Sequence, residues 1–221
     1  MSDIYSHLAP GLASAFARQL ALGDLIGERG WQVDISAGRV TFGDDLTFPI
    51  QLLGTESHLD RTWLWAWANS GSDLPGEVLR AALWLRDYGG RYGLAELTEP
   101  GMGLGEVDGH LIALLAGALT GRCYYRGPYQ GGALFFLVED TPPRVSAPVA
   151  PERLLRVLAQ VLQTYPVDHR TLVEGFLSQQ GFQVTTAPGA VEGRRADGMS
   201  LRAVLDEHGR ITDMSGGISP A

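Results

Sequence analysis

"RTWLWAWANSGSD", Arg61 to Asp73, sets three tryptophans at every second position. In a helix Trp63, Trp65 and Trp67 would lie about 200° apart and share no face. In a strand side chains alternate, so the three indoles fall on one side. Thr62, Leu64, Ala66 and Ala68 then form the other side, small and mostly apolar. The alternation predicts an extended segment from Thr62 to Asn69, central in its sheet and covered on both faces. Burying three indoles contributes about 10–20 kcal/mol gross, against a net stability of ~5–15 kcal/mol for a whole domain. That comparison favours a wall of the core over an aromatic platform for sugars, bases or a peptide.

Upstream, "HLAPGLASAFARQLALGDLIGERG" reads as a first helix, with Leu12, Phe16, Leu20 and Leu22 on one stripe and Gly30 closing it. Three further strands are predicted before the tryptophans: "WQVDI", "RVTF" and "LTFPIQLLGTE", parted by Ser36-Ala37-Gly38 and Gly43-Asp44-Asp45. Pro49 lacks a backbone donor, which suggests an edge strand or a bulge.

Downstream, Ser72 or Asp73 is expected to cap a helix with Pro75 in its first turn, stopping at Gly89-Gly90. A second helix is expected from about Glu106 to Leu119. After it comes a hairpin of "RCYYR" and "ALFFLVE" around "GPYQGG". The segment "EDTPPRVSAPVAP" holds four prolines in thirteen residues and reads as an extended linker. Two helices follow, one carrying Leu154, Leu158 and Val161, the other running from Asp168 to Gly181. Three short strands close the chain, turning at Pro188-Gly189, Asp197-Gly198 and His208-Gly209. "GWQVDISAG" and "GFQVTTAPG" echo each other, each after a helix and before strands, as a duplicated helix-plus-meander unit would.

The expected organisation is therefore α+β: residues 1–138 as a domain with an antiparallel sheet meander packed by helices, 139–151 as a Pro-rich linker, and 152–221 as a smaller helix-helix-three-strand unit.

Composition narrows the function. The 221 residues are 45% hydrophobic and 19% charged, which is globular composition. A net charge of -8 makes nucleic acid and anionic membrane surfaces poor partners. Lysine is absent, so Schiff-base chemistry, pyridoxal phosphate attachment and a phosphate-loop lysine are excluded. A single cysteine, Cys123, rules out an intrachain disulfide and a cysteine-rich zinc site. The N-terminus does not read as a signal peptide and the longest apolar run is short of the ~20 residues of a bilayer span. A cytoplasmic location is the expectation.

No catalytic constellation emerges. "GMGLGEVDGH" misses the G-x-G-x-x-G spacing and places acids where a pyrophosphate would sit. Glu106 and His110 are four apart, but no third metal ligand accompanies them. Neither a cofactor nor a metal is expected. The strongest ligand-binding candidates are Trp67 and Asn69 on the tryptophan segment with Tyr125, Arg126 and Tyr129 in "CYYRGPYQGG". Together they offer stacking, hydrogen bonding and a bidentate cation.

Two stretches, "LLGTESHLDRTWLWAWAN" (Leu52 to Asn69) and "YYRGPYQGG" (Tyr124 to Gly132), resemble the hallmarks of a bacterial family of domains of unknown function. Its members pair a W-x-W-A-W-x-N strand with a later Y-R-G-P-x-x-G-G loop. The resemblance covers roughly residues 8 to 138 and implies no activity, only that the two motifs belong to one unit. The element order is also similar to that of bacterial secretion-chaperone-like domains, which are acidic and often dimeric. The leading expectation is a non-enzymatic module binding a protein or peptide partner, with a homodimer as one form of it. The alternative is a small-molecule or enzyme pocket between the tryptophan strand and the YYRGPYQGG loop.

Overall fold

Helix α1 (Ile4–Ile26) opens the computed structural model, which describes residues 4–218. Leu12 and Leu22 of the expected stripe are buried, whereas Leu20 is 40% exposed. The helix ends earlier than Gly30, at Gly27, whose φ of +60° suits a residue without Cβ.

Strands β1 (Trp31–Asp34), β2 (Arg39–Phe42), β3 (Leu46–Ser57) and β4 (Thr62–Trp65) follow as an antiparallel meander. Helices α2 (Arg80–Tyr92) and α3 (Ala95–Thr98) precede β5 (Gly101–Gly103), which pairs with β4. Helix α4 (Gly109–Thr120) leads into the hairpin β6 (Cys123–Tyr129) and β7 (Gly132–Val138). Strand β7 pairs along β3, so β3 is central: β7 lies on one edge, and β2 and β4 share the other. The chain ends with α5 (Pro143–Ser146), α6 (Pro151–Thr164) and α7 (His169–Gln179), then β8 (Gln183–Ala187), β9 (Ala190–Arg194), β10 (Met199–Leu205) and β11 (Ile211–Ile218). These last four form a second antiparallel meander. Its three turns are the three expected, and they delimit four strands rather than the three expected. The architecture is α+β with antiparallel sheets.

The tryptophan segment is extended only to Trp65. Ala66–Ala68 forms a 3-10 turn instead of the predicted strand. The reason lies in β3, whose edge is taken by β4 over Gly54–Ser57 and by β2 over Leu46–Pro49. A longer β4 would run into β2, so the chain leaves the sheet. Trp63 and Trp65 still share a face, in an edge-on ring contact of 5.4 Å, and both are fully buried. Trp67 packs against the same core but is only half-buried.

Three other expectations are corrected. Pro49 lies in the central strand, opposite Arg39, the first residue of β2, and just before Ile50, opposite Val138, the last of β7. Its missing N–H therefore falls where both ladders end, and the bulge sits further on, between Leu52 and Gly54. Helix α2 begins at Arg80, after a 3-10 turn Gly76–Leu79, and no side chain of Ser72 or Asp73 caps it. Buried Gln51 does part of that work, its Oε1 accepting from Ala81 N at 3.2 Å while its Nε2 donates to Glu77 O. The helix also runs through Gly89-Gly90 to Gly93, where φ is +70°. Gly89 is an interior packing residue: a Cβ there would lie 2.6 Å from Leu97 Cβ.

One apolar core joins the two halves of the chain. It holds Leu8, Leu12, Trp63, Trp65, Leu115 and Phe135 together with Leu158, Leu172, Phe176 and Leu201. A second cluster on the other face of the sheet gathers Leu22, Phe42, Ile50, Phe136 and Val145. Val145 comes from the single helical turn α5 within the proline-rich segment.

Candidate functional site

Strand alternation sorts the three candidate residues that lie on β6. On β6, Tyr124 and Arg126 face the main core while Tyr125, Gly127 and Tyr129 face the opposite side. Arg126 lies over the Phe135 ring at 6.0 Å, with its Nη2 3.1 Å from His58 Nε2 and its Nε 3.9 Å from Glu56 Oε2. Glu56 is buried, and its Oε1 accepts from Gly109 N at 2.8 Å, so a carboxylate occupies the N-terminus of α4. Asp108 completes that terminus by accepting from Leu111 N at 2.8 Å. His110 meets the Tyr124 hydroxyl at 3.2 Å, and burial, then Tyr165 and Asp108, push that phenol well above its usual pKa. The cation of Arg126 is thus engaged within the fold.

Tyr125 packs against Phe42 at 4.8 Å, Phe136 at 5.6 Å and Trp31 at 5.9 Å, as an inner wall. Trp67 lies under the Arg86 guanidinium at 5.2 Å, against α2. Asn69 and Tyr129 come together at a cleft of about 370 Å³, lined by Trp31, Val33, Leu64, Leu74 and Leu134, with Thr55 and Ser72 as further polar groups. The structure therefore brings two of the five to one place and distributes the other three around it.

The cleft exists because β1 and the β3–β4–β7 sheet present apolar residues toward each other. Trp31 and Val33 alternate with polar Gln32 and Asp34, a period-2 signal legible in "WQVDI". The Trp31 ring also seats on Gly127, where a Cβ would lie 2.5 Å from it. Gly132 is equally constrained: its Cβ would lie 2.2 Å from Glu56 O and 2.7 Å from the Tyr129 hydroxyl. These glycines of "YYRGPYQGG" allow close approach rather than chemistry.

Cys123 is buried, its Sγ 3.5 Å from Arg18 O, and burial pushes its thiol up to about 11. At pH 8 the thiolate is scarce and inaccessible. Folded protein should leave a thiol reagent such as Ellman's unreacted for many times longer than protein in denaturant. Prompt stoichiometric labelling under native conditions would contradict this burial. Among the described residues no group of three or more His, Cys, Asp or Glu could hold a metal ion. No helix among them is long and apolar enough to cross a membrane.

A two-faced antiparallel sheet, helices over one face and an apolar cleft on the other, defines the class: an α+β domain with a small concave site. Residues 6–141 match a family described as "Family of unknown function (DUF6882)", and the chain belongs to that family. No curated protein and no solved structure matches it. Its function is unknown.

Proposed function

We propose that this chain is a non-enzymatic binding module of a bacterial cytoplasm, and that its ligand is a small, largely apolar molecule with one hydrogen-bonding end. The observation that carries the reading is the cleft joining the two motif segments, with Leu64 and Asn69 on one side and Tyr129 and Leu134 on the other. Its volume lies in the range of small-molecule sites, and apolar walls with a few polar groups are what such sites present. The buried free thiol suits a reducing compartment. A protein partner is the second reading, favoured by the aromatic row Trp84, Tyr88 and Tyr92 on α2, whose outer members are 46% and 49% exposed.

An uncharged naphthylamine probe that brightens in apolar surroundings tests the cleft. It should bind saturably with one site per chain, and Leu64→Glu should weaken it tenfold or more with the fold intact. Leu64 is 38% exposed, so the substitution is tolerable. Equal binding to both proteins would remove the cleft reading and leave the α2 surface as the interaction site.

A further inference from the structure

On a chain of net charge -8, a hollow lined by arginines and by no acidic residue stands out. A cavity of about 150 Å³ lies between α1, the proline-rich segment, the first turn of α6 and the end of α7. Arg18, Arg144 and Arg153 line it, with Ser14, Gln179 and Gln180, and no aspartate or glutamate does.

Two buried polar atoms of the lining residues lack partners. Ser14 is 2% exposed, and its Oγ is buried without a hydrogen bond. Arg18 donates through Nη2 to Gly117 O at 3.1 Å, but its Nε is buried and unpartnered. Neither Arg18 nor Arg144 forms an ion pair among the described residues, and Arg153 has only a 3.7 Å contact with Asp24. Gln180 Oε1 is already taken by Val149 N at 2.6 Å, and Gln179 donates to Pro10 O at 3.1 Å. Ser14 Oγ and Arg18 Nε thus stay unpartnered behind the cavity wall, and Arg18 and Arg144 have no counter-charge among the described residues. A half-buried cation without a counter-charge, and orphaned donors beside it, are costly arrangements. Guanidinium groups and hydroxyls are the donors that hold oxyanions, often in bidentate fashion.

We infer that this cavity binds a tetrahedral oxyanion, either free phosphate or the phosphoryl end of a small metabolite. The volume supports the limit on size: at about 30 Å³ each it would hold roughly five waters, well under the ~300 Å³ of sites for drug-sized ligands. Because three separate segments supply the walls, the bound anion ties residues 144–153 to α1. The site is separate from the apolar cleft, and neither depends on the other.

Thermal unfolding and calorimetric titration of the full chain test the assignment. Inorganic phosphate, glycerol phosphate and sodium chloride are compared at equal ionic strength. Phosphate at tenfold over its Kd should raise Tm saturably by about 3–6 °C beyond chloride. Binding of inorganic phosphate alone identifies the free anion as ligand; binding of glycerol phosphate as well identifies the phosphoryl end, and both support the site. Arg18 is partly buried and its replacement risks the fold, so the decisive variant is Arg144→Glu. Arg144 is exposed and unpaired, so this variant should keep the ligand-free Tm and lose at least tenfold in affinity, while Arg144→Lys retains most of it. No saturable shift beyond chloride, or an unchanged shift in Arg144→Glu, would overturn the site.

Discussion

Trp63→Ala should lower the free energy of unfolding by about 3–5 kcal/mol, whereas Trp67→Ala should lower it by about 1 kcal/mol. The two residues are four apart in one motif, and the difference measures where the strand ends. Trp63 is 1% exposed, edge-on to Trp65 at 5.4 Å and to Phe135 at 5.5 Å. Removing it leaves a void between β4, β7 and the helices that close packing cannot refill. Trp67 is half-buried at the margin of the same core, so its loss removes less packed area together with the contact to Arg86. Urea unfolding of both variants decides the matter. Losses of equal size would mean that the third indole is packed like the first, and that the extended segment continues past Trp65. Against a domain stability of ~5–15 kcal/mol, the larger loss brings the protein close to unfolding.

What the sequence made legible is what local periodicity and turn chemistry encode. The alternation in "TWLW" reports a strand because two of its indoles do share a face. The turns at Gly38, Gly43, Gly131, Gly198 and Gly209 all carry positive φ, which a chain with Cβ atoms adopts at a cost. What stayed hidden depends on residues far apart in the chain. Nothing near Trp67 reveals that β2 occupies the edge β4 would need. Nothing near Gly89 reveals Leu97 Cβ as its neighbour, so a packing glycine looked like a helix stop. Glu56 reaches Gly109 across 53 positions, and its carboxylate answers a helix terminus that sequence alone left open. The candidate site follows the same division. Asn69 and Tyr129 could be named from their motifs, but their cleft needs Trp31 and Leu134, whose pairing is set by the curl of the sheet.

That division also explains why the motif residues are poor guides to chemistry. Gly127 and Gly132 admit an indole and a strand backbone, Trp65 donates from Nε1 to Glu96 O at 2.9 Å, and Arg126 reaches His58 and Glu56. Each is engaged within the molecule. The unpartnered polar atoms at the arginine-lined cavity belong to "LASAFAR", a stretch with no motif at all. Packing glycines and buried tryptophans record the fold rather than a chemistry, and the indole N–H groups of Trp63 and Trp67 are themselves buried without a partner.

The helical contact between the two halves of the chain carries the second large effect: Gly175→Val should destabilise the protein by about 3 kcal/mol or more. A glycine inside a helix ordinarily costs about 1 kcal/mol relative to alanine, so on a free surface this substitution would be mild. Here α7 lies directly on α1, and a Cβ at residue 175 would sit 2.1 Å from Pro10 O and 2.7 Å from Pro10 C. Both are backbone atoms, so no rotamer change relieves the clash; the helices must separate. Separation would uncover Phe176, Leu172 and Val173, which are fully buried in the core that also holds Leu8 and Leu12. The variant therefore tests how residues 152–221 are held. A wild-type chain whose halves unfold together should show one urea transition and resist protease between residues 139 and 151. In Gly175→Val the same segment should become a cleavage site, and the transition should split or move to lower urea. Wild-type stability and protection in the variant would show that α1 and α7 are not in backbone contact, and that the C-terminal unit stands alone.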